Sequence, residues 1–144
     1  MARILKSGFG FHINLDGNVG PRGGNARTDV GAVQYALLLL TTGRGVLPGG
    51  GSLSVPGQGT IAVDGYFGPQ TTAFINAYQA KRVGSPGPSS GPLPAPDGNF
   101  GNFRQTVWNF GLLDTDVRGA VGDIIDQMRS DPRCPGFLKQ AFIE

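Results

Sequence analysis

The sequence is poor in the residues that metal, redox and acid–base chemistry draw on. Its 144 residues include one histidine (His12), one cysteine (Cys134) and one glutamate, the C-terminal Glu144. A hydrolytic zinc centre needs several His, Cys or carboxylate ligands, so no metal or cofactor is expected. A lone cysteine closes no intrachain disulfide, which excludes a disulfide-dependent secreted scaffold. No Gly-x-Ser-x-Gly elbow accompanies the serines, so the usual mark of a serine hydrolase is missing. Long hydrophobic runs are missing too. The longest, Ala36 to Leu40, falls far short of the roughly 20 residues that cross a bilayer, and Met1 to Gly8 has no stretch of signal-peptide length. Charge of one sign does not dominate: 12 Lys and Arg face 10 Asp and Glu without a run. The basic stripe of a nucleic-acid-binding face is therefore absent. Neither membrane nor nucleic acid is an expected partner. Synthesis is expected in the cytoplasm, and action at the cell wall, in a virion or after non-classical export.

What the chain has in quantity is turn chemistry. Gly (25) and Pro (11) make up a quarter of it, which predicts helices joined by long loops. Nine of the ten acids are Asp, a residue that favours caps and turns by bonding nearby backbone donors. Residues 1–27 read as an extended arm, with period-two alternation from Phe9 to Leu15 and His12 as a half-buried strand residue. A helix follows, with Thr28 as N-cap, Asp29 in its first turn, and Val30, Val33, Leu37 and Leu40 on one face. Gly43 stops it, and residues 43–60 form a long Gly/Pro/Ser loop. Gly68-Pro69 launches a second helix, with Pro at the first helical position where a missing N–H does no harm, running to about Arg82. Residues 83–102, with five prolines and five glycines, read as a loop or linker. In the C-terminal region, 103–144, Phe103, Val107 and Phe110 make a short face ended by Gly111. Asp114 or Thr115 then caps a helix with the stripe Val117, Val121, Ile124, Ile125 and Met128, and Phe137 to Phe142 form a last turn. The whole reads as one domain without an internal repeat. Asp114, Asp116, Asp123 and Asp126 could suggest a glycosidase carboxylate pair, but capping and solvated-face roles account for all four, and the chain is expected not to be an enzyme.

One constellation carries more than architecture. Asp29-Val30-x-x-Val33-Gln34-x-x-Leu37-Leu38 precedes Val63-Asp64-Gly65-Tyr66-Phe67-Gly68-Pro69-x-Thr71, and Ala73, Phe74, Ala77, Tyr78 and Gln79 continue it. The segment 19–82 resembles the peptidoglycan-binding-like family, with its D-V-x-x-L/V-Q-x-x-L helix, V-D-G-x-F-G-P-x-T turn and helix ending near F-Q. Five residues at fixed offsets make the turn motif the specific part. The resemblance implies a mainly α fold: a small helical bundle with 28–82 as its core, a short extended arm and long Gly/Pro-rich loops. It also implies a shallow groove beside the turn that binds cell-wall glycan or stem peptide without catalysis, in a bacterial setting that includes phage and secretion or injection assemblies. The ligand-binding candidates are Gln34, Tyr35, Asp64, Tyr66 and Gln70, whose rings could cover a sugar while amides and hydroxyls read polar groups; Tyr78 is expected in the core. Two departures from the family stand out, the long 43–60 loop and a third helix displaced beyond the Pro/Gly stretch. A second reading stays open. The unit could be a protein–protein adaptor or a subunit of a multimer, with Phe9, Phe11, Phe100, Phe103, Trp108 and Phe110 as interface anchors.

Overall fold

The computed structural model describes residues 3–7, 10–43, 45, 47, 52–83, 97–101, 108 and 110–142, with side chains from Ile13 onward. Among these residues the fold is mainly helical. An antiparallel hairpin, β1 (Arg3–Ser7) and β2 (Gly10–Asn14), precedes α1 (Arg27–Thr42), α2 (Pro69–Arg82), α3 (Phe110–Ala120), α4 (Ile124–Ser130) and α5 (Gly136–Phe142). The hairpin pairs Ile4 with Ile13 and Leu5 with His12, and β2 lies along α3. The side chains of Phe9, Phe11 and His12, and residues Phe103 and Val107, lie outside the described set.

Helix α1 is the centre of the molecule. Every residue from Asp29 to Leu40 is buried, where the periodicity predicted a single apolar face. A helix covered on all sides belongs inside a core, and α2, α3 and α5 pack around it. Leu47 and Leu53 join the same core, and the Leu53 N–H donates to the Leu40 carbonyl at 3.1 Å. The long loop after α1 is thus anchored onto the helix it leaves. One apolar cluster runs from Ile13 to Phe142, so the 28–82 unit shares its core with the arm and the C-terminal helices. Trp108, Phe100 and Phe110 are all buried within it.

Three helix boundaries differ from the sequence expectation. The N-cap of α1 is Ala26, with no side-chain cap bond; Thr28 lies inside the helix. The carboxylate of Asp29 instead turns back to accept from Asp16 N and Gly17 N, which satisfies an arm rather than a helix end. Helix α3 runs through Gly111, and Asp114 and Thr115 sit within it. The expected stripe from Val117 to Met128 is split between two helices, because Gly122 adopts φ +105°. Asp123 then caps α4, accepting from Ile125 N at 2.8 Å and Asp126 N at 3.3 Å. Helix α2 begins at Pro69 and ends at Arg82, as its start signal predicts.

Two buried tyrosines donate their hydroxyls to aspartates. Tyr35 reaches Asp131 at 2.9 Å, and Tyr78 reaches Asp116 at 2.5 Å, with Arg82 3.4 Å from the same carboxylate. The side-chain hydrogen bonds of Arg133 hold Asp131 down at about 2, against the opposing effect of burial. Asp116 is pushed the other way, raised by burial despite its Tyr78 and Arg82 partners.

Cys134 is buried beside α5, and burial pushes its thiol up to about 11. At pH 8 only about one thiol in a thousand would then be thiolate, the reactive form. We expect the native protein to react with Ellman's reagent at least tenfold more slowly than the same protein in denaturant. Equal rates would show that the thiol is accessible.

Candidate functional site

The turn at Asp64-Gly65 is built around one amide. Gln34, on α1 and 1% exposed, accepts on Oε1 from Asp64 N (3.1 Å) and Gly65 N (2.9 Å). Its Nε2 group faces Asp64 Oδ1, the Tyr66 carbonyl and Thr71 Oγ1 at 3.1, 3.0 and 2.9 Å. Two backbone donors at the oxygen fix which way the amide points. The Asp64 carboxylate also accepts from Tyr66 N at 2.9 Å, an Asx turn. Gly65 has φ +80°, and a Cβ there would lie 2.4 Å from Arg27 Cγ and 2.9 Å from the Arg27 carbonyl. Conformation and space both demand glycine.

The same arrangement occurs a second time. Gln79, on α2 and fully buried, accepts from Asp97 N (3.1 Å) and Gly98 N (2.8 Å). It donates to Asp97 Oδ1 (3.2 Å) and the Asn99 carbonyl (2.8 Å), while Asp97 Oδ1 accepts from Asn99 N. Gly98 matches Gly65 with φ +76°. The Pro/Gly stretch read as a loop over 83–102 therefore ends in an ordered turn, and the chain does contain an internal repeat. The pattern Asp-Gly-x-Φ-Gly, with Φ apolar, stands in the sequence three times, at 16–20, 64–68 and 97–101. In the first copy Asp29 replaces the glutamine, taking Asp16 N and Gly17 N at 3.2 and 3.1 Å. The first and third copies pair with each other. Val19 N donates to the Phe100 carbonyl at 2.8 Å and Phe100 N to the Val19 carbonyl at 2.9 Å.

The five residues expected at a ligand site divide by role. Gln34 is buried with its amide engaged by the turn, and Tyr35 is buried on Asp131, so neither presents a free polar group to a ligand. Asp64 is exposed, with one oxygen committed within its own turn. Gln70 ties the 43–60 loop and its continuation to α2, accepting from Ala62 N and donating to the Gln58 and Thr60 carbonyls. Tyr66 is the residue presented outward, at 66% exposure. Two neighbours that the sequence does not single out complete its surface. The Arg27 guanidinium carbon lies 5.3 Å from the Tyr66 ring centroid and 4.2 Å from that of Phe137, both within cation–π range. Arg27 Nε donates to the Asp64 carbonyl at 3.4 Å. Arg27 is exposed and pairs with no carboxylate among the described residues. Nothing near Arg27 in the sequence announces Phe137; α5 brings it there.

The aspartates considered for acid–base work have other tasks. Asp114 and Asp116 are buried in α3 and face Arg118 and Arg82. Asp123 caps α4 and Asp126 pairs with Arg129 on the surface. Among the described residues no three His, Cys, Asp or Glu side chains form a group that could hold a metal ion, and no helix is long and apolar enough to cross a membrane.

Each glutamine clamp serves backbone groups that lose their partners if it is removed. Leaving a buried donor or acceptor unsatisfied costs about 1–3 kcal/mol. Gln34→Ala and Gln79→Ala should each lower stability by about 2–3 kcal/mol in denaturant unfolding, and Gln70→Ala by less than about 1.5 kcal/mol. Equal, small losses at all three positions would contradict a clamp role.

Comparison with protein-family models, with curated proteins and with solved structures gives no match, and the reading of this surface rests on its own chemistry.

Proposed function

We propose that this chain is a non-catalytic cell-wall-binding module of the peptidoglycan-binding-like type, free-standing or carried by a phage, secretion or injection assembly. The observation that carries the reading is Tyr66, a large ring held two-thirds exposed on a turn that Gln34 fixes from inside. A monomeric domain gains nothing in core packing from such a ring, and aromatic faces suit sugar rings and apolar ligand surfaces. Arg27 beside it supplies a cation for anionic groups of the polymer. Module and ligand would associate without covalent chemistry, consistent with aspartates engaged in caps and ion pairs. The adaptor reading draws less support. Of the six aromatic anchors it names, the three whose side chains are described, Phe100, Trp108 and Phe110, are 0%, 2% and 0% exposed within the single chain.

The test is sedimentation of the purified chain with insoluble peptidoglycan sacculi. The intact chain should pellet, and Tyr66→Ala should cut the bound fraction at least about fivefold while changing stability by less than about 0.5 kcal/mol, as for an exposed side chain. A folded chain that stays in the supernatant overturns the proposal. Gln34→Ala is unsuited as a binding control, because that side chain supports the fold.

A further inference from the structure

The three Asp-Gly-x-Φ-Gly turns are not equally occupied. In two of them the Φ residues, Val19 and Phe100, exchange both backbone hydrogen bonds. In the third, Phe67 stands at the same position, and neither its N–H nor its carbonyl has a hydrogen-bond partner among the described residues. The flanking glycines differ in the same sense. A Cβ on Gly20 would fall 1.8 Å from Asn99 Oδ1, because the paired turn fills that space. A Cβ on Gly68 would meet nothing within 4 Å, and its backbone is extended at φ −157°. Among the described residues nothing gives Gly68 a steric reason to be glycine. Beside this open position stand the exposed ring of Tyr66 and Arg27, a cation with no carboxylate partner among the described residues.

We infer that the Tyr66–Gly68 edge is a docking position for one extended peptide bearing a free carboxylate, which pairs with Phe67 as Val19 pairs with Phe100. Two backbone bonds would set the register, as in strand addition to an open edge. The Arg27 guanidinium would take the carboxylate with charge-assisted hydrogen bonds, and the Gly68 surface would leave room for the peptide backbone. The inference rests on the wall-binding reading, which makes the occupant the peptidoglycan stem peptide rather than the glycan strand. Charge favours this occupant over a second copy of the chain, since a twofold pairing through Phe67 would bring two Arg27 side chains to one edge.

The experiment titrates the isotope-labelled full chain with a soluble stem tetrapeptide, and then with the same peptide carrying amidated carboxylates. The free-acid peptide should shift the Phe67 amide resonance and slow its exchange, and amidation should weaken binding about tenfold. Gly68→Val suits an extended residue before proline; it should leave the spectrum of the core intact and weaken binding at least about tenfold. Should that variant misfold, Arg27→Gln replaces it, weakening binding while Arg27→Lys restores part of the loss. An unmoved Phe67 amide, equal affinity for the amidated peptide, or a folded Gly68→Val that binds as the parent does would each overturn the inference. So would a concentration-dependent dimer that protects Phe67 without peptide. Sacculi separate this inference from the reading beneath it. Equal sedimentation with intact sacculi and with peptide-stripped glycan removes the peptide inference and keeps wall binding, whereas no sedimentation with either removes both.

Discussion

A buried primary amide that closes a turn on a neighbouring segment is the interaction on which the rest of this molecule depends. Gln34 offers one acceptor and two donors, and the Asp64-Gly65-Tyr66 backbone presents two N–H groups and a carbonyl in matching positions. An amide is suited to this because it is neutral: a carboxylate would offer only acceptors to the Tyr66 carbonyl, and an ammonium only donors to the turn N–H groups. In a low-dielectric interior such a set is strong when complete and costly when broken. Its repetition by Gln79 on the next helix shows one device used twice, with Asp29 serving a third turn through two donors alone.

This device explains why the central helix carries polar residues at all. Helix α1 buries Asp29, Gln34 and Tyr35 among aliphatic side chains. Each reaches out to a segment distant in sequence: the arm at Asp16-Gly17, the turn at Asp64-Gly65, and Asp131 at the end of α4. With little regular sheet and many glycines, the loops gain their placement from these contacts. Rigidity at the turn is in turn what lets Tyr66 and Arg27 hold one geometry, and preorganised groups bind at lower entropic cost.

Much of the helical part was legible. Gly68-Pro69 marks the start of α2 because the first helical position needs no N–H and proline keeps the residue before it out of helical backbone, and Leu138 and Phe142 in the final turn pack where their apolar character implies. The division between α3 and α4 was not legible, because the apolar spacing continues across Gly122 and Asp123 as though unbroken. Thr28 has a cap-forming side chain but lies inside α1, and Asp29 spends its carboxylate on the arm. At the candidate site the turn itself was readable from Asp64, Gly65 and Gly68. The inward roles of Gln34 and Tyr35 were not, since a polar residue in an amphipathic pattern reads as surface until its partner is known. The repeat is hard to read because its copies are unequally spaced and are completed by side chains from neighbouring helices, Gln34 and Gln79 from the helix before and Asp29 from the helix after. Phe137 and Arg27 meet only through the packing of α5 on α1.

Amide hydrogen exchange at the clamped turns addresses the account most directly. Asp64, Gly65, Asp97 and Gly98 lie in irregular segments, where unprotected amides exchange through local fluctuation. If the glutamine amides hold the turns as described, these four N–H groups should exchange only through global unfolding, with the same opening free energy as the core amides of α1. Exchange at the rate of the exposed loop residues 56–60 would contradict the claim that the glutamines organise this fold and the surface it presents.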